Sequence, residues 1–504
     1  MEESSLKAGI SVASGQPPAA PAAEPRRLAI NFLYLSGGEL TAKLLTFAVF
    51  SYLARVLGPS DYGFVEFTLA VMVFFSLPVD LGLSWYGARE IARDPGKATR
   101  LLHEVTGLRV YLTLLSMLGL GIFILLLNKG IELKVLLALY GLSLLAGPFL
   151  TQWFFQAHDQ MHWVGIASII RQTGFAGLIF LACRRGTSLV YIGIFECASV
   201  TVVAVYCLYV VRYRMRFDWP WPDLRVTRLI GHFREAAPIG LNELAWASMW
   251  YFCTVLLGFL FTDWSLGWFG ASHRVLMALH TFVYLYFFNL LPSISRCVLL
   301  PKDQLSELMD RSIRLSAWTG LFAAGLLTAV APGLLTLIYG SSFRGASHSF
   351  SILAWMLPVA MLSGHHRYIL IAYNCQKRLL NCTAISAAAA IILGFALVPI
   401  YRGPGAAWAL LTANVINFAL VYVSVRQLVV EVPVHRQLTM PLTALSVSTV
   451  FYLVFAKWNV LIALTGGLAF YMAGLALSDG RQLAEFLRTI LRRPHATTAS
   501  PERM

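Results

Sequence analysis

Apolar runs of about twenty residues follow one another almost without interruption from residue 32 to residue 478. A helix needs about 20 residues to cross the roughly 30 Å of hydrocarbon in a bilayer. Inside that layer a helix satisfies its own backbone N–H and C=O groups, which water is not there to meet. The chain is therefore confined to an all-α, polytopic membrane fold. On this ruler about fourteen spans are predicted, near 32–55, 62–86, 105–127, 133–156, 163–183, 188–211, 236–261, 265–292, 315–339, 349–373, 380–400, 405–428, 438–456 and 459–478. The connections are short, and none is large enough to fold as a separate soluble domain.

Composition agrees. Of the 504 residues, 58% are hydrophobic and 13% charged, where a soluble domain carries about 25% charged residues. The formal net charge is +14, but the basic residues sit in short loops between apolar runs rather than on a basic face with interleaved aromatics. That excludes nucleic acid as the partner. With the N-terminus cytoplasmic and the spans alternating, about 27 of the 39 Lys and Arg residues fall on the cytoplasmic side and about eight outside. The cytoplasmic set includes Arg89, Arg93, Lys97, Arg100, Arg212, Arg214 and Arg216. Both termini are thus expected in the cytoplasm. Residues 1–27, rich in Ala, Pro, Ser and Gly, read as a disordered tail, and residues 481–504 as a second cytoplasmic tail.

Soluble-enzyme chemistry is missing. Gly340-Ser341-Ser342-Phe343-Arg344-Gly345 has phosphate-loop spacing, but Ala346 follows where lysine is needed. The seven cysteines form no C-x-x-C pair and read as small residues within or beside apolar runs. No His/Cys/Asp set has metal-ligand spacing, and His365-His366 point about 100° apart on a helix. A transferase acting on lipid-linked sugar would need paired carboxylates in its first outer loop, which offers only Asp61. No metal or organic cofactor is expected.

What remains is charge at membrane depth. Such a residue costs about 2.5–3.5 kcal/mol on insertion scales and usually faces a partner or a watery cavity. Lys43, Arg171, Arg274 and Arg367 are the basic residues placed there; Glu39, Glu66, Asp80, Glu196 and Glu243 are the acidic ones. Glu39 and Lys43 are one turn apart and can pair with each other, or both can face a cavity. Each arginine reads either as a structural ion pair or as a planar fork for phosphate. Asp80 can pair with Arg89 or Arg93. Pro238, ahead of Asn242 and Glu243, reads as a kink and a hinge.

The chain also shows an internal repeat. Glu39 precedes Gly63 by the same 24 residues that separate Glu243 from Gly267. Gln160 and Arg185-Gly186 match Gln376 and Arg402-Gly403 at a slightly larger offset. Two six-helix lobes in the same orientation, 28–230 and 231–432, would be related by an axis along the membrane normal, with the substrate site at their interface. Residues 433–480 add two further helices.

The runs ARVLGPSDYGFVEFTLAV, DLGLSWYGAREIAR, QWFFQAHDQM, PIGLNELAW, LIYGSSFRGAS and VPIYRGPGAAWAL, in that order across residues 28–430, resemble the bacterial polysaccharide-transporter flippases. These are the Wzx-type members of the multidrug/oligosaccharidyl-lipid/polysaccharide (MOP) exporter superfamily. The resemblance implies two lobes in a V that open alternately to each side of the cytoplasmic (inner) membrane. It implies an undecaprenyl-diphosphate-linked oligosaccharide as cargo, and polysaccharide polymerase and chain-length proteins as partners beside the membrane lipids. By position, Lys43, Arg171 and Arg274, with His273 and Arg367, are the expected substrate-binding residues, and Glu39, Asp80 and Glu243 the expected coupling or gating residues. Coupling to protons or sodium is left open. The competing readings are a cation-coupled multidrug or toxin antiporter of the same superfamily and a lipid-linked-sugar polymerase or transferase. On the cavity-lining reading, Arg274→Ala should abolish function at an unchanged protein level.

Overall fold

In a computed structural model the described residues are 25–261, 263–297, 302–429 and 434–491. Among them every regular element is helical. The main helices, in chain order, are α1 (Pro25–Asp80), α2 (Leu83–Arg93), α3 (Ala98–Leu126), α4 (Ile131–Leu142), α5 (Gln152–Ala157), α6 (Met161–Ala182) and α7 (Val190–Tyr209). They continue with α8 (Val226–Leu260), α9 (Trp264–Cys297), α10 (Lys302–Tyr339), α11 (Ser347–Leu353), α12 (Met356–Ala372), α13 (Gln376–Leu428), α14 (Val434–Phe455) and α15 (Val460–Leu491).

Eleven helical stretches among the described residues are long and apolar enough to cross a membrane. Two of them hold more than one span. Leu40–Arg93 has 54 residues, which as a straight rod at 1.5 Å per residue would run about 80 Å, far beyond the hydrocarbon. It turns at Gly58, whose φ of 77° and ψ of 174° lie outside the helical region. Only glycine reaches that conformation without a Cβ penalty, and Pro59 then starts the next helix where its missing N–H is not needed. Gln376–Leu428, with 53 residues, turns in the same way at Arg402 (φ 52°), two residues before Pro404. Helix α9 is 34 residues long and lies outside the eleven. Helix α8 runs through Pro238 as one 35-residue element.

Packing joins sequence-distant helices. Helices α3, α4 and α6 pack on α1, α7 packs on α4 and α6, and α13 packs on α8 and α12. Between these groups, α1 meets both α8 and α9. The two last helices, α14 and α15, pack on each other and reach the rest mainly through α10. A continuous core of Phe, Leu, Val and Ala side chains runs through the centre of both groups.

Several turns repeat. Asp159 and Asn374, just before the matched Gln160 and Gln376, both adopt φ 56°. The turns at Gly186 (φ 84°) and Arg402 (φ 52°) are likewise left-handed. At the chain ends, residues 1–24 and 492–504 lie outside the described set, as does the Glu39 side chain. The expected tails at 1–27 and 481–504 are described only where α1 begins at Pro25 and α15 continues to Leu491.

Candidate functional site

Charged residues inside the bundle fall into three groups that differ in how they are paired. The first lies where α1 turns at Gly58. Gly63 of α1 and Gly267 of α9 touch: a Cβ at 63 would sit 2.9 Å from the Gly267 nitrogen, and a Cβ at 267 would collide with the Pro59 carbonyl oxygen. One turn deeper, Glu66 lies against Gly270, where an added Cβ would meet its Cγ at 2.5 Å. That close approach lets Arg274 donate from Nε to Glu66 Oε1 at 2.6 Å, while the Tyr62 hydroxyl donates to the same oxygen at 2.5 Å. The Arg274 guanidinium lies 3.5 Å from the centroid of the Phe50 ring. Both charged side chains are largely buried.

Arg55 adds a further link at this end. Its Nε donates to the Ile338 carbonyl at 2.8 Å, and its Nη2 donates to the Leu337 carbonyl. These are last-turn carbonyls of α10, which have no intrahelical donor, and a cation there complements the helix dipole. At the opposite end of the long helices, Leu81 and Gly82 pack directly on the backbone of Ala236 and Gly240 in α8. There His232 bonds the buried Glu104 at 2.9 Å and Tyr86 at 2.8 Å.

The second group lies between the helix groups. His280 of α9 feels the charges of Arg367 from α12 and Lys43 from α1. Glu243 of α8 feels Arg367 and Asp80. Five ionisable groups from four helices thus influence one another. Lys43 is exposed, and Glu243, His280 and Arg367 are partly so. Unlike Arg274, neither Lys43, Glu243 nor Arg367 is among the ion pairs of the described residues. A charged group at this depth in an apolar bundle usually faces either a partner or a watery cavity.

The third group sits within the first helix group. Arg109 of α3, with its side chain 4% exposed, pairs with Asp80, donates to Ser84 Oγ at 2.7 Å and donates to the Leu150 carbonyl at 3.1 Å. Arg171 of α6 donates to Glu196 of α7 at 2.6 Å. Asp80, Ser84, Arg109 and Arg171 line a cavity of about 500 Å³ together with Gln152 and Gln156.

The expected site residues therefore separate. Lys43 and Arg367 both approach His280, and Arg367 and Asp80 both approach Glu243. Arg274 is held by Glu66, and Arg171 by Glu196. His273 is 5% exposed and packs among Trp250, Tyr251 and Phe269. Asp80 pairs with Arg109 rather than with Arg89 or Arg93, because α2 turns those two toward Glu90 and Glu235. Charge counting by loop leaves out Arg109, although it stands alone inside the third apolar run. It also leaves out Arg314, which bonds Gln437 and Asp479 at 2.8 Å each and ties α14 and α15 to α10. His280 carries no sequence signal beyond its depth.

This architecture is shared with solved transporters. The chain aligns with a lipid II flippase MurJ structure in an inward closed conformation over 91% of this chain and 99% of that one, with a TM-score of 0.68 at 15% identity. It aligns with an inward-facing multidrug resistance MATE family transporter of the MOP superfamily over 80% of this chain and 98% of that one, with a TM-score of 0.61 at 14% identity. The fold is thus that of the MOP-superfamily membrane transporters. Residues 28–298 match the family described as polysaccharide biosynthesis protein, and the chain belongs to that family. A protein of Escherichia coli (strain K12) named "Putative O-antigen transporter" is 22% identical over 79% of this chain and 96% of its own length. A Shigella dysenteriae protein of the same name is 23% identical over 74% and 93%.

Proposed function

We propose that this protein flips an undecaprenyl-diphosphate-linked oligosaccharide repeat unit from the inner to the outer leaflet of the cytoplasmic membrane, by alternating access. The observation that carries the proposal is that Lys43 of α1 and Arg367 of α12 both approach His280 of α9 closely enough to act on it electrostatically, while neither cation is among the ion pairs of the described residues. A diphosphate and its sugars cannot cross hydrocarbon unaided; cations facing water offer them charge-assisted hydrogen bonds. Arg367 brings the planar fork that suits phosphate, and Lys43 a mobile ammonium. Family membership and the likeness to O-antigen transporters and to a lipid II flippase support the same cargo class.

The lipid tail has its own surface. A largely apolar groove of about 580 Å³ lies between α10, α11, α14 and α15, lined by Leu326, Pro332, Leu445, Leu453, Leu464 and Leu468. A polyprenyl chain can lie there, or stay in bilayer, while the head group crosses between the lobes 28–230 and 231–432. Transport then alternates between breaking the Gly63–Gly267 contact at one end and the Leu81–Gly240 contact at the other. Glu243 and Asp80 are the coupling or gating carboxylates. With the N-terminus cytoplasmic, the Gly58 turn faces outward.

Deletion of the gene in the native host tests the proposal. Full-length lipid-linked repeat units should accumulate on the inner leaflet while surface glycan is lost. Loss of surface glycan without that accumulation would indicate an enzymatic step instead. In proteoliposomes, export of a fluorescent organic cation but not of lipid-linked glycan would indicate an antiporter.

A further inference from the structure

The cavity within the first helix group differs from both the cleft and the apolar groove. It holds about 500 Å³, within the roughly 300–1,000 Å³ of small-molecule sites and far more than one ion needs. Its polar lining is arranged in layers. Asp80, Ser84 and Arg109 form a bonded layer on one wall. Gln152 and Gln156 of α5 share the lining, half-buried, and neither amide is among the hydrogen-bonded side chains of the described residues. Each therefore retains two N–H donors and a carbonyl acceptor for a ligand. Trp85 also lines the cavity and is 67% exposed, so an indole face is free at its edge.

These groups suit one chemistry. A sugar ring presents vicinal hydroxyls that both donate and accept, and an apolar C–H face. Glutamine amides and a serine hydroxyl match the first, and an indole matches the second. A lipophilic cation fits poorly, because both carboxylates beside the cavity are already engaged, Asp80 by Arg109 and Glu196 by Arg171. An isolated metal ion fits poorly too, because that aspartate is already engaged by Arg109. Asp80 is also close enough to act electrostatically on Glu243, so the cavity lies beside the cleft.

We propose that this cavity is a saccharide subsite, in which Gln152, Gln156 and Trp85 hold a sugar ring of the cargo against the Asp80–Ser84–Arg109 layer. This rests on the lipid-linked glycan reading of the cleft and adds to it. Cations in the cleft bind the diphosphate common to such cargoes, whereas this cavity reads the sugar that differs between them.

The test uses the full chain purified in detergent and two probes: the host's repeat-unit oligosaccharide freed from its lipid by mild acid, and undecaprenyl diphosphate alone. By calorimetry, Gln152→Ala with Gln156→Ala should weaken oligosaccharide binding about tenfold, as expected for the loss of one to two hydrogen bonds, and leave undecaprenyl diphosphate binding unchanged. Trp85→Ala, at an exposed position that does not hold the fold, should weaken the oligosaccharide alone as well. Unchanged oligosaccharide affinity in both variants, equal weakening of both probes, or no oligosaccharide binding by the wild-type chain would overturn the subsite. Those results leave the flippase reading intact if wild-type proteoliposomes still move the lipid-linked glycan. Failure of that transport by the wild-type chain refutes the flippase reading itself.

Discussion

Arg274 Nε donates to Glu66 Oε1 at 2.6 Å across the boundary between the two helix groups. The pair engages both charges and joins the two groups as a latch would. Glu66 reaches Arg274 because glycine at 270 lets its stem lie flat on α9, and Tyr62 fills the same carboxylate oxygen. Removing one partner of a buried pair leaves an uncompensated charge and costs about 3–5 kcal/mol. Arg274→Ala should therefore lower the thermal midpoint and the membrane level of the protein, contrary to what a free cavity arginine would do. Arg274→Met with Glu66→Leu, which removes both charges, should recover much of that stability. Thermal unfolding of the purified variants decides; an Arg274→Ala protein as stable as wild type would refute the latch.

The backbone contact beside the latch should be equally sensitive. A methyl group at 267 collides with the Pro59 carbonyl, which cannot swing aside as a side chain can. Gly267→Ala should disfavour closure at the Gly58-turn end by roughly 1–3 kcal/mol, the usual cost of overpacking. Cysteines at positions facing the cleft should then become more reactive to an impermeant reagent added outside. Unchanged labelling would mean that the contact does not control access.

Lys43 and Arg367 should behave in the opposite way to Arg274. Both are at least partly exposed and outside the ion pairs of the described residues, so alanine at either position should change stability by no more than about 0.5 kcal/mol. Surface-glycan complementation should nevertheless fall sharply, and Lys43→Arg should restore it in part because the charge is kept. Full complementation by the Lys43→Ala, Arg367→Ala double variant would remove both from the site.

The last two helices should detach as a unit. Asp479 accepts from Arg314 Nη1 and from Trp318 Nε1, both at 2.8 Å, so α15 hangs on a few polar contacts with α10. Asp479→Ala should cost about 1.5–3 kcal/mol, the range for hydrogen bonds to a charged group. It should raise hydrogen exchange in α14 and α15 while leaving α1 through α9 protected. A uniform rise across the chain would argue against such independence.

Much of this molecule was legible in its sequence. Apolar runs of bilayer length dictate an all-helical membrane fold, since backbone polar groups in hydrocarbon have few other partners. Gly58-Pro59 marks the first reversal, because glycine alone tolerates that φ and proline is best placed at a helix start. The matched 24-residue spacing from Glu39 to Gly63 and from Glu243 to Gly267 singles out two glycines that prove to be neighbours. The partner of each buried charge could not be read in this way. Lys43, Arg171, Arg274 and Arg367 look alike along the chain, each a lone cation in an apolar run. Only the packing of α1 on α9 and of α6 on α7 gives Arg274 and Arg171 their carboxylates, and Lys43 and Arg367 are not among the ion pairs of the described residues. Sequence spacing sets which face of its own helix a side chain occupies; what stands opposite depends on contacts between residues up to 283 positions apart, and only tertiary structure creates those.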